Sequence, residues 1–433
     1  MIITDKAQIK IAELRESNNL RLSGSDVLEC YELIESDLKL PAGTIFTRSS
    51  PAYLSNGTQV AANVPRFEPG RFGKAVMVEE GTVNRIQNPF FTGLTSWGSW
   101  DEVMIEEVNV NFNGTMIHGI KIKKRTDGTA NAVYQFNIPY IAGSNTLSFY
   151  AMIDPASVVK NGYIKAYITS YSSYPINSKE WTHIKHTEVK DESGTAIIHI
   201  TQYSPDYDVI IILPQFEQKP YATSFIDGTR SPETLTIPTA GVLNPQEGTV
   251  DCWVYLDGDI AARTPVTGHW IFAHAAGTSA RYPNALGFRR NGWGNTDVWE
   301  AWAHDGNGNS TDLRVTWTPT IGWHYFAMRW SPTELALFID GVKRGAASNP
   351  YLPTTLASVA YIGSWIGGDL QLNTLIDDLR ISNRARTDAE IAAAYASGQP
   401  LPVDEWTTYK LDFDDKVRIT AQGQIICNEL IEI

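Results

Sequence analysis

The sequence predicts a mostly β protein built as two successive antiparallel β-sandwiches, with an irregular N-terminal segment and a short C-terminal β tail. Three observations carry that prediction. Short runs alternate apolar and polar residues, among them HGIKIKK, NAVYQFNI, NTLSFYAMI, GTVDCWVYL and GWHYFAMRW. Side chains alternate between the two faces of a strand, so each run suits a half-buried strand. Gly, Asn and Pro punctuate the runs at regular spacing, as the turns of a sandwich require. Finally, the 433 residues include 13 Trp, 19 Tyr and 15 Phe with only 19% charged residues, a profile of β-rich domains with wide packed faces.

At this length the chain is too long for one ordinary core. Four sections follow in order. Residues 1–80 open with SDVLECYELIESDLKL, where Val27, Tyr31, Ile34 and Leu38 recur at helical spacing and Asp26 with Glu29 offers a capping box. The alternation L-E-C-Y-E-L keeps a strand open there. Residues 43–89 are broken by Pro and Gly and suit a segment that wraps over other structure. Residues 81–222 hold the first sandwich, including YIKAYITSY, TAIIHITQY and DVIIILPQFEQ. Residues 223–400 hold the second, with TLTIP, HWIFAHA, VWEAWAH, ELALFIDG and TLIDDLRI. Asp340-Gly341 supplies the positive φ of a tight hairpin there. After Asn383 the period becomes helical in TDAEIAAAYASG, with Thr387 as N-cap, Glu390 three residues on and Gly398 as stop.

The last section, 401–433, carries TTYKLDFD and KVRITAQGQIICNELIEI. The latter puts Ile419, Ala421, Gly423, Ile425 and Cys427 on one face and is too short to form a core. It is expected to pair with AQIKIAEL near the N-terminus or with a neighbouring subunit, which implies a homo-oligomer.

The net charge of −13 argues against a nucleic-acid or anionic-membrane partner. No apolar run approaches the ~20 residues of a membrane span, and no secretory signal pattern is visible at the N-terminus. Cys30, Cys252 and Cys427 are odd in number and far apart, against a disulfide framework or a zinc cluster and in keeping with synthesis in a reducing cytosol. Cys252 alternates with Val250 and Val254 and reads as a core residue.

Within 223–400, FIDGTRSPETLTIP, GTVDCWVYL, GWHYFAMRW, ELALFIDGVKRG, YIGSW and IDDLRISNRARTDAEIAAAY follow one another in an order that resembles a concanavalin-A-like jelly roll of the laminin-G type. The 81–222 section resembles carbohydrate-binding-module-like sandwiches through Asn88-Pro89-Phe90 followed by Trp97 and Trp100. FTRSSPAYLSNGTQVAANVPRFE, with Val78-Glu79-Glu80 and Asn84, is similar to the opening module of tailed-bacteriophage structural proteins. PYATSFIDGTRSPETL is similar to the junction that closes the middle domain in those proteins. The resemblance implies a non-enzymatic virion protein of a tail fibre, baseplate or head appendage, made in the host cytoplasm. It would be attached through residues 1–80 to other virion proteins, be trimeric by analogy with phage fibres, and bind host-surface glycans. A purely architectural decoration protein, a glycan-degrading tail enzyme and a bacterial adhesin are the competing readings.

The candidate chemistry is sparse. Asp377 and Asp378 adjoin in a strand, and alternation puts them on opposite faces, with Asp377 on the apolar one, so they do not converge on one glycosidic bond. The jelly-roll resemblance implies a structural calcium held by Asp227 with Asp377 or Asp378, and oxygen donors suit that ion. The competing reading is a structural corner in which an Asp accepts backbone N–H groups and the Arg380 guanidinium. Glucanases of the concanavalin type carry carboxylates at spacing two, a motif missing here; Asp297 and Glu300 stand three apart. The Gly-x-Ser-x-Gly and His-Glu-x-x-His patterns are also missing. His183 and His186 cannot share a strand face and read as solvated surface. DGNGNSTD echoes a calcium loop but has Ser310 where Gly is needed and Thr316 where Glu is needed, so it reads as a hairpin loop. For sugar stacking the candidates are Trp293 beside Arg290 and Asn291 in a Gly/Asn loop, and Trp97 with Trp100 in the first sandwich.

Overall fold

The computed structural model describes residues 40–101, 104–124, 129–158, 162–202, 206–258, 269–277, 282–291 and 298–413, with the backbone of 417–419 and 425–427. Its described strands form antiparallel sheets, and four of those sheets pair into two sandwiches. In the first sandwich one sheet runs Tyr171–Ile176, Gly162–Tyr167, Gly194–Gln202, Asn131–Tyr140, Gly98–Ser99. The other runs Thr182–Lys190, Gly143–Ile153, Val209–Glu217, Thr115–Ile122, Ile105–Phe112. Alternation explains the core between them: Val133, Ile164, Ala166, Ile198 and Ile200 of one sheet meet Leu147, Phe149, Ala151, Ile120 and Ile211 of the other. Burying each such Val, Leu, Ile or Phe contributes about 1.5–3 kcal/mol.

The second sandwich is the jelly roll. One sheet runs Ile45–Thr47, Thr234–Pro238, Val359–Ile362, His269–His274, Leu286–Arg290, Val298–His304, Ser310–Thr316. The other runs Val342–Ser348, Glu334–Ile339, Gly322–Trp330, Gly248–Leu256, Thr374–Ser382, Lys74–Val78, Phe67–Pro69. Val250, Cys252, Val254, Phe326 and Met328 meet Phe272, Phe288, Trp299 and Ile362 in its core, where Cys252 is a buried free thiol. The helix Asp388–Ser397 follows with the expected capping box between Thr387 and Glu390, and Gly398 stops it at φ 60°. Its Ile391 covers Trp253, Tyr325 and Phe338 on the outer face of the second sheet.

Residues 45–78 are thus no separate segment. They supply edge strands to both jelly-roll sheets, Phe46 opposite Leu235 and Val76 opposite Ile376. The reason is visible in KAVMV, where Ala75, Val76 and Val78 are fully buried. Strand Thr374–Ser382 shares one edge between two partners, Val76–Val78 along its first half and Thr407–Leu411 along its second. TTYKLDFD therefore completes a sheet of its own chain. In the terminal run, Val417–Ile419 pairs antiparallel with Ile425–Cys427, so this stretch folds back on itself; AQIKIAEL and the helix expected over 25–40 lie outside the described residues except for Leu40.

The segments that resemble a phage opening module meet in one buried charge cluster. Arg48 of FTRSSP donates to Glu233 Oε1 at 2.8 Å. Arg66 of VPRFE donates to the two Glu233 oxygens at 2.8 and 2.7 Å and to Glu79 at 2.8 Å. Arg230 of GTRSPETL lies 3.1 Å from Glu79. Although burial pushes Glu79 up, Arg230 and Arg66 beside it and the Ser224 N–H hold it down to about 2. Among the described residues, no helix is long and apolar enough to cross a membrane.

Candidate functional site: an open aromatic face

The two outer faces of the 81–222 sandwich differ. One is covered: Phe112, Ile117, Ile212 and Leu213 pack under Tyr53 of the N-terminal strap and under Phe225 and Ile226. The opposite face, on the sheet that includes Asn131–Tyr140 and Gly194–Gln202, presents rings to solvent. Side chains in phase with the Ile residues turn inward, so the alternate phase turns out. Register then aligns Gly98, Tyr134, His199, Tyr167 and Tyr171 in one row across five strands. Trp100 flanks the row, 6.0 Å from the His199 ring. Tyr134 lies 5.5 Å and Tyr167 5.0 Å from His199, and Tyr171 lies 4.5 Å from Tyr167. Phe136 stands edge-on to Tyr134 at 4.8 Å.

Trp100, Phe136, Tyr163 and Tyr171 are 46%, 58%, 43% and 44% exposed, and this concentration of exposed rings on one face marks an interaction surface. Local structure aims the rings. Phe136 follows Tyr134 in the outward phase, and the bulge between Gln135 and Ile138, with Asn137 at φ 56°, then returns Ile138 to the core. Gly98 lets Tyr134 lie over the backbone, since a Cβ there would come 2.4 Å from the ring. Burial pulls the His199 pKa below its usual 6.5, so the imidazole in the middle of the row is neutral at pH 7. The five strands of this sheet contain no Asp or Glu in a chain that has 48. Lys165 sits at the margin, 5.6 Å from the Tyr171 ring. Flat rings with hydroxyl edges and a neutral imidazole suit the apolar face and hydroxyl rim of a sugar.

The structure sorts the residues expected from sequence. Trp100 belongs to this face. Trp97 does not: it packs on Phe91 at 4.7 Å and donates to the Asn88 carbonyl at 2.9 Å. Trp293 and Asp297 lie outside the described residues. Asn291 is buried and donates to Glu300 Oε1 at 2.7 Å, and Arg290 is 1% exposed, so neither offers an open contact. Glu300 also accepts from Arg289 at 2.8 Å and Arg314 at 2.7 Å, leaving both its oxygens committed. Trp270, Trp302 and Trp365 pack on one another nearby, with the Arg289 guanidinium 4.3 Å over Trp302.

Asp377 and Asp378 are a structural corner, though not the one alternation suggested. A bulge between Asp251 and Trp253 in the pairing with Thr374–Ser382, with Asp378 at φ 54°, resets the phase. Ile376, Leu379 and Ile381 thereby all reach the core, and Asp377 turns to the other face. Its Oδ2 accepts from the N–H groups of Arg71 at 2.7 Å and Phe72 at 3.0 Å. Burial, with Asp412 adding, pushes its pKa up to about 6 against those two bonds. Asp378 accepts from the Leu401 N–H at 2.5 Å and pairs with Lys410. Arg380 does not hold them; it pairs with Asp251 at 2.6 Å. Asp227 is exposed, and among the described residues no group of three or more His, Cys, Asp or Glu could hold a metal ion.

Two further expectations change or resolve. His186 is no surface group: buried, it bridges the Tyr174 hydroxyl at 3.1 Å and Glu188 at 2.9 Å, while His183 on the opposite face is exposed. DGNGNSTD is a hairpin loop, Asp305 Oδ1 accepting from Asn307 and Asn309 N–H at 2.8 and 3.0 Å. Sequence reasoning missed Tyr134, Phe136, His199, Tyr167 and Tyr171. Their signal was the polar phase of NAVYQFNI, YIKAYITSY and TAIIHITQY, which holds rings where a solvated face would hold charges.

Residues 229–392 match the Concanavalin A-like lectin/glucanases superfamily. No curated protein sequence matches the chain. Among solved structures, domain 4 of an extracellular arabinanase from Geobacillus stearothermophilus, in complex with arabinotriose, is similar at 21% identity and TM-score 0.30, over 37% of this chain and 71% of that one. TmCBM61 in complex with β-1,4-galactotriose is similar at 16% identity and TM-score 0.26, over 31% of this chain and 99% of that one. The enzymatically active domain of bacteriophage CBA120 tailspike protein 2 is similar at 13% identity and TM-score 0.32, over 42% of this chain and 28% of that one.

Proposed function

We propose that the protein is a non-enzymatic carbohydrate-binding component of a phage-like particle, with the open aromatic face of the 81–222 sandwich as its sugar surface. The observation that carries this reading is the in-register row of Tyr134, His199, Tyr167 and Tyr171, flanked by Trp100 and exposed among the described residues, while the opposite face of the same sandwich is buried. A sugar needs apolar ring surface with polar edges, and strands hold these rings, tilted by 34° between Tyr134 and His199 and by 75° between Tyr167 and His199, more firmly than a loop would. The lectin-type match over 229–392 supports a glycan-directed protein. Catalysis is disfavoured because the Glu300 and Asp377 carboxylates are tied to arginines or backbone N–H groups in place of facing one another across a cleft. Membership of a particle, and assembly as a homo-oligomer with other virion proteins, rests on the similarity of FTRSSP, VPRFE and GTRSPETL to phage structural modules.

Affinity electrophoresis in gels cast with soluble polysaccharides tests the sugar reading. Retardation of the full chain that Tyr171→Ala abolishes supports it, and unaltered mobility in every polysaccharide refutes it. Electron microscopy of particles labelled with antibody to the chain tests the virion assignment.

A further inference from the structure

We infer that this face takes an internal stretch of a linear polysaccharide whose pyranose rings carry only equatorial substituents, lying across the strands; the inference rests on the sugar reading above and specifies its ligand. Three observations lead there. The aligned rings of Tyr134, His199, Tyr167 and Tyr171 span four strands, and three interstrand steps of about 4.8 Å give a track of about 14 Å, longer than one pyranose ring. A pocket for a chain end would need a wall. Among the described residues the row ends instead at two sheet margins, Gly98–Ser99 and Tyr171–Ile176, beyond which no further strand pairs, a layout that lets a chain enter and leave.

The second observation is the scarcity of hydrogen-bonding groups in the middle of the track. Phe136 and Ile197 are exposed hydrocarbon, and His199 is neutral with its Nδ1 buried and unpaired among the described residues. Such a surface rewards a ligand that presents C–H groups. A ring whose hydroxyls are all equatorial offers two flat C–H faces and keeps its polar groups at the rim. An axial hydroxyl would be pressed against a Tyr or Phe ring without a partner, a cost of about 1–3 kcal/mol for each desolvated group. Third, the five strands have no carboxylate, so the rim hydroxyls meet uncharged groups such as the Tyr O–H groups, Ser173 and Thr195, with Lys165 at the margin. Recognition then falls on shape and the fit of ring to ring, repeated along the track.

Isothermal titration of the full chain tests this with glucose, cellohexaose, hexa-N-acetylchitohexaose and mannohexaose, which differs from cellohexaose by an axial hydroxyl. The expected result is binding of the two equatorial hexasaccharides, at least about tenfold weaker binding of mannohexaose and none measurable for glucose. Tyr134→Ala and Tyr171→Ala should each weaken hexasaccharide binding about tenfold; the 44% exposure of Tyr171 keeps its variant clear of the core. Glucose binding as tightly as a hexasaccharide would overturn the internal-chain mode, and mannohexaose binding as tightly as cellohexaose would overturn the equatorial requirement. Both results would leave a sugar surface standing. Loss of all saccharide binding, in gels as in titration, would instead remove the sugar reading itself.

Discussion

Glu233→Gln removes one charge from the centre of the cluster that ties the N-terminal strap to the jelly roll. Glu233 is fully buried, and its two oxygens accept four bonds, from Arg48 Nη1, from Arg66 Nε and Nη2, and from the Glu79 N–H. Among the described residues the ion pairs of Arg48, Arg66 and Arg230 go to Glu79 and Glu233, a set of three positive and two negative charges, with Glu217 also acting on Arg230. The substitution leaves three cations against one anion. It also turns an amide N–H₂ toward a guanidinium that can only donate. Breaking a buried pair by neutralising one partner costs about 3–5 kcal/mol, because the remaining charge is desolvated and unpaired. Glu334 provides the contrast: its bridges to Arg329 and Lys343 are partly exposed, so Glu334→Gln should cost about 0–1 kcal/mol. Urea denaturation of wild type and both variants, followed by near-UV circular dichroism and tryptophan fluorescence, measures the difference. A Glu233→Gln loss below about 1 kcal/mol, or one equal to that of Glu334→Gln, would refute the view that this cluster locks strap to domain.

Gly98→Ala should disturb the sugar face without touching ligand. The new Cβ meets the Tyr134 ring at 2.4 Å, so overpacking of about 1–3 kcal/mol and weakened polysaccharide retardation are expected; wild-type mobility would show that Tyr134 needs no glycine beneath it. Asp377 and Glu79 act oppositely on the pH dependence of stability. A carboxyl raised to about 6 binds its proton more readily folded than unfolded, so its contribution falls as pH rises from 3.8 through about 6, by about 3 kcal/mol. Asp377→Asn should flatten that limb, and parallel profiles for variant and wild type would contradict it. Glu79, held at about 2, contributes fully above 4.5 and loses its contribution as pH falls from there toward 2, which Glu79→Gln should abolish. Chelator should leave the melting temperature unchanged, because Asp378 is committed to the Leu401 N–H and Lys410 and, among the described residues, no group of three or more His, Cys, Asp or Glu could hold an ion. A fall in melting temperature restored by calcium would reinstate an ion at this corner.

The alternation in GTVDCWVYL and GWHYFAMRW determined the β class by itself, because period two needs no tertiary information to place Val250, Cys252 and Val254 inward. Thr387, Glu390 and Gly398 likewise marked both ends of the helix through purely local hydrogen bonds and backbone freedom. Asp377 and Asp378 show where such reasoning stops. A bulge inserts one residue into a strand, and since it depends on the partner strand it leaves no mark in the strand's own periodicity. The charge cluster could not be read either: Arg48 and Glu233 are 185 positions apart, and only the fold decides that two Pro- and Gly-broken stretches close on each other. The same holds for the sugar face. Four of its strands carry rings in the outward phase, yet it is register across those four that sets Tyr134, His199, Tyr167 and Tyr171 in one row. Which sandwich face the strap would cover was likewise a matter of tertiary packing.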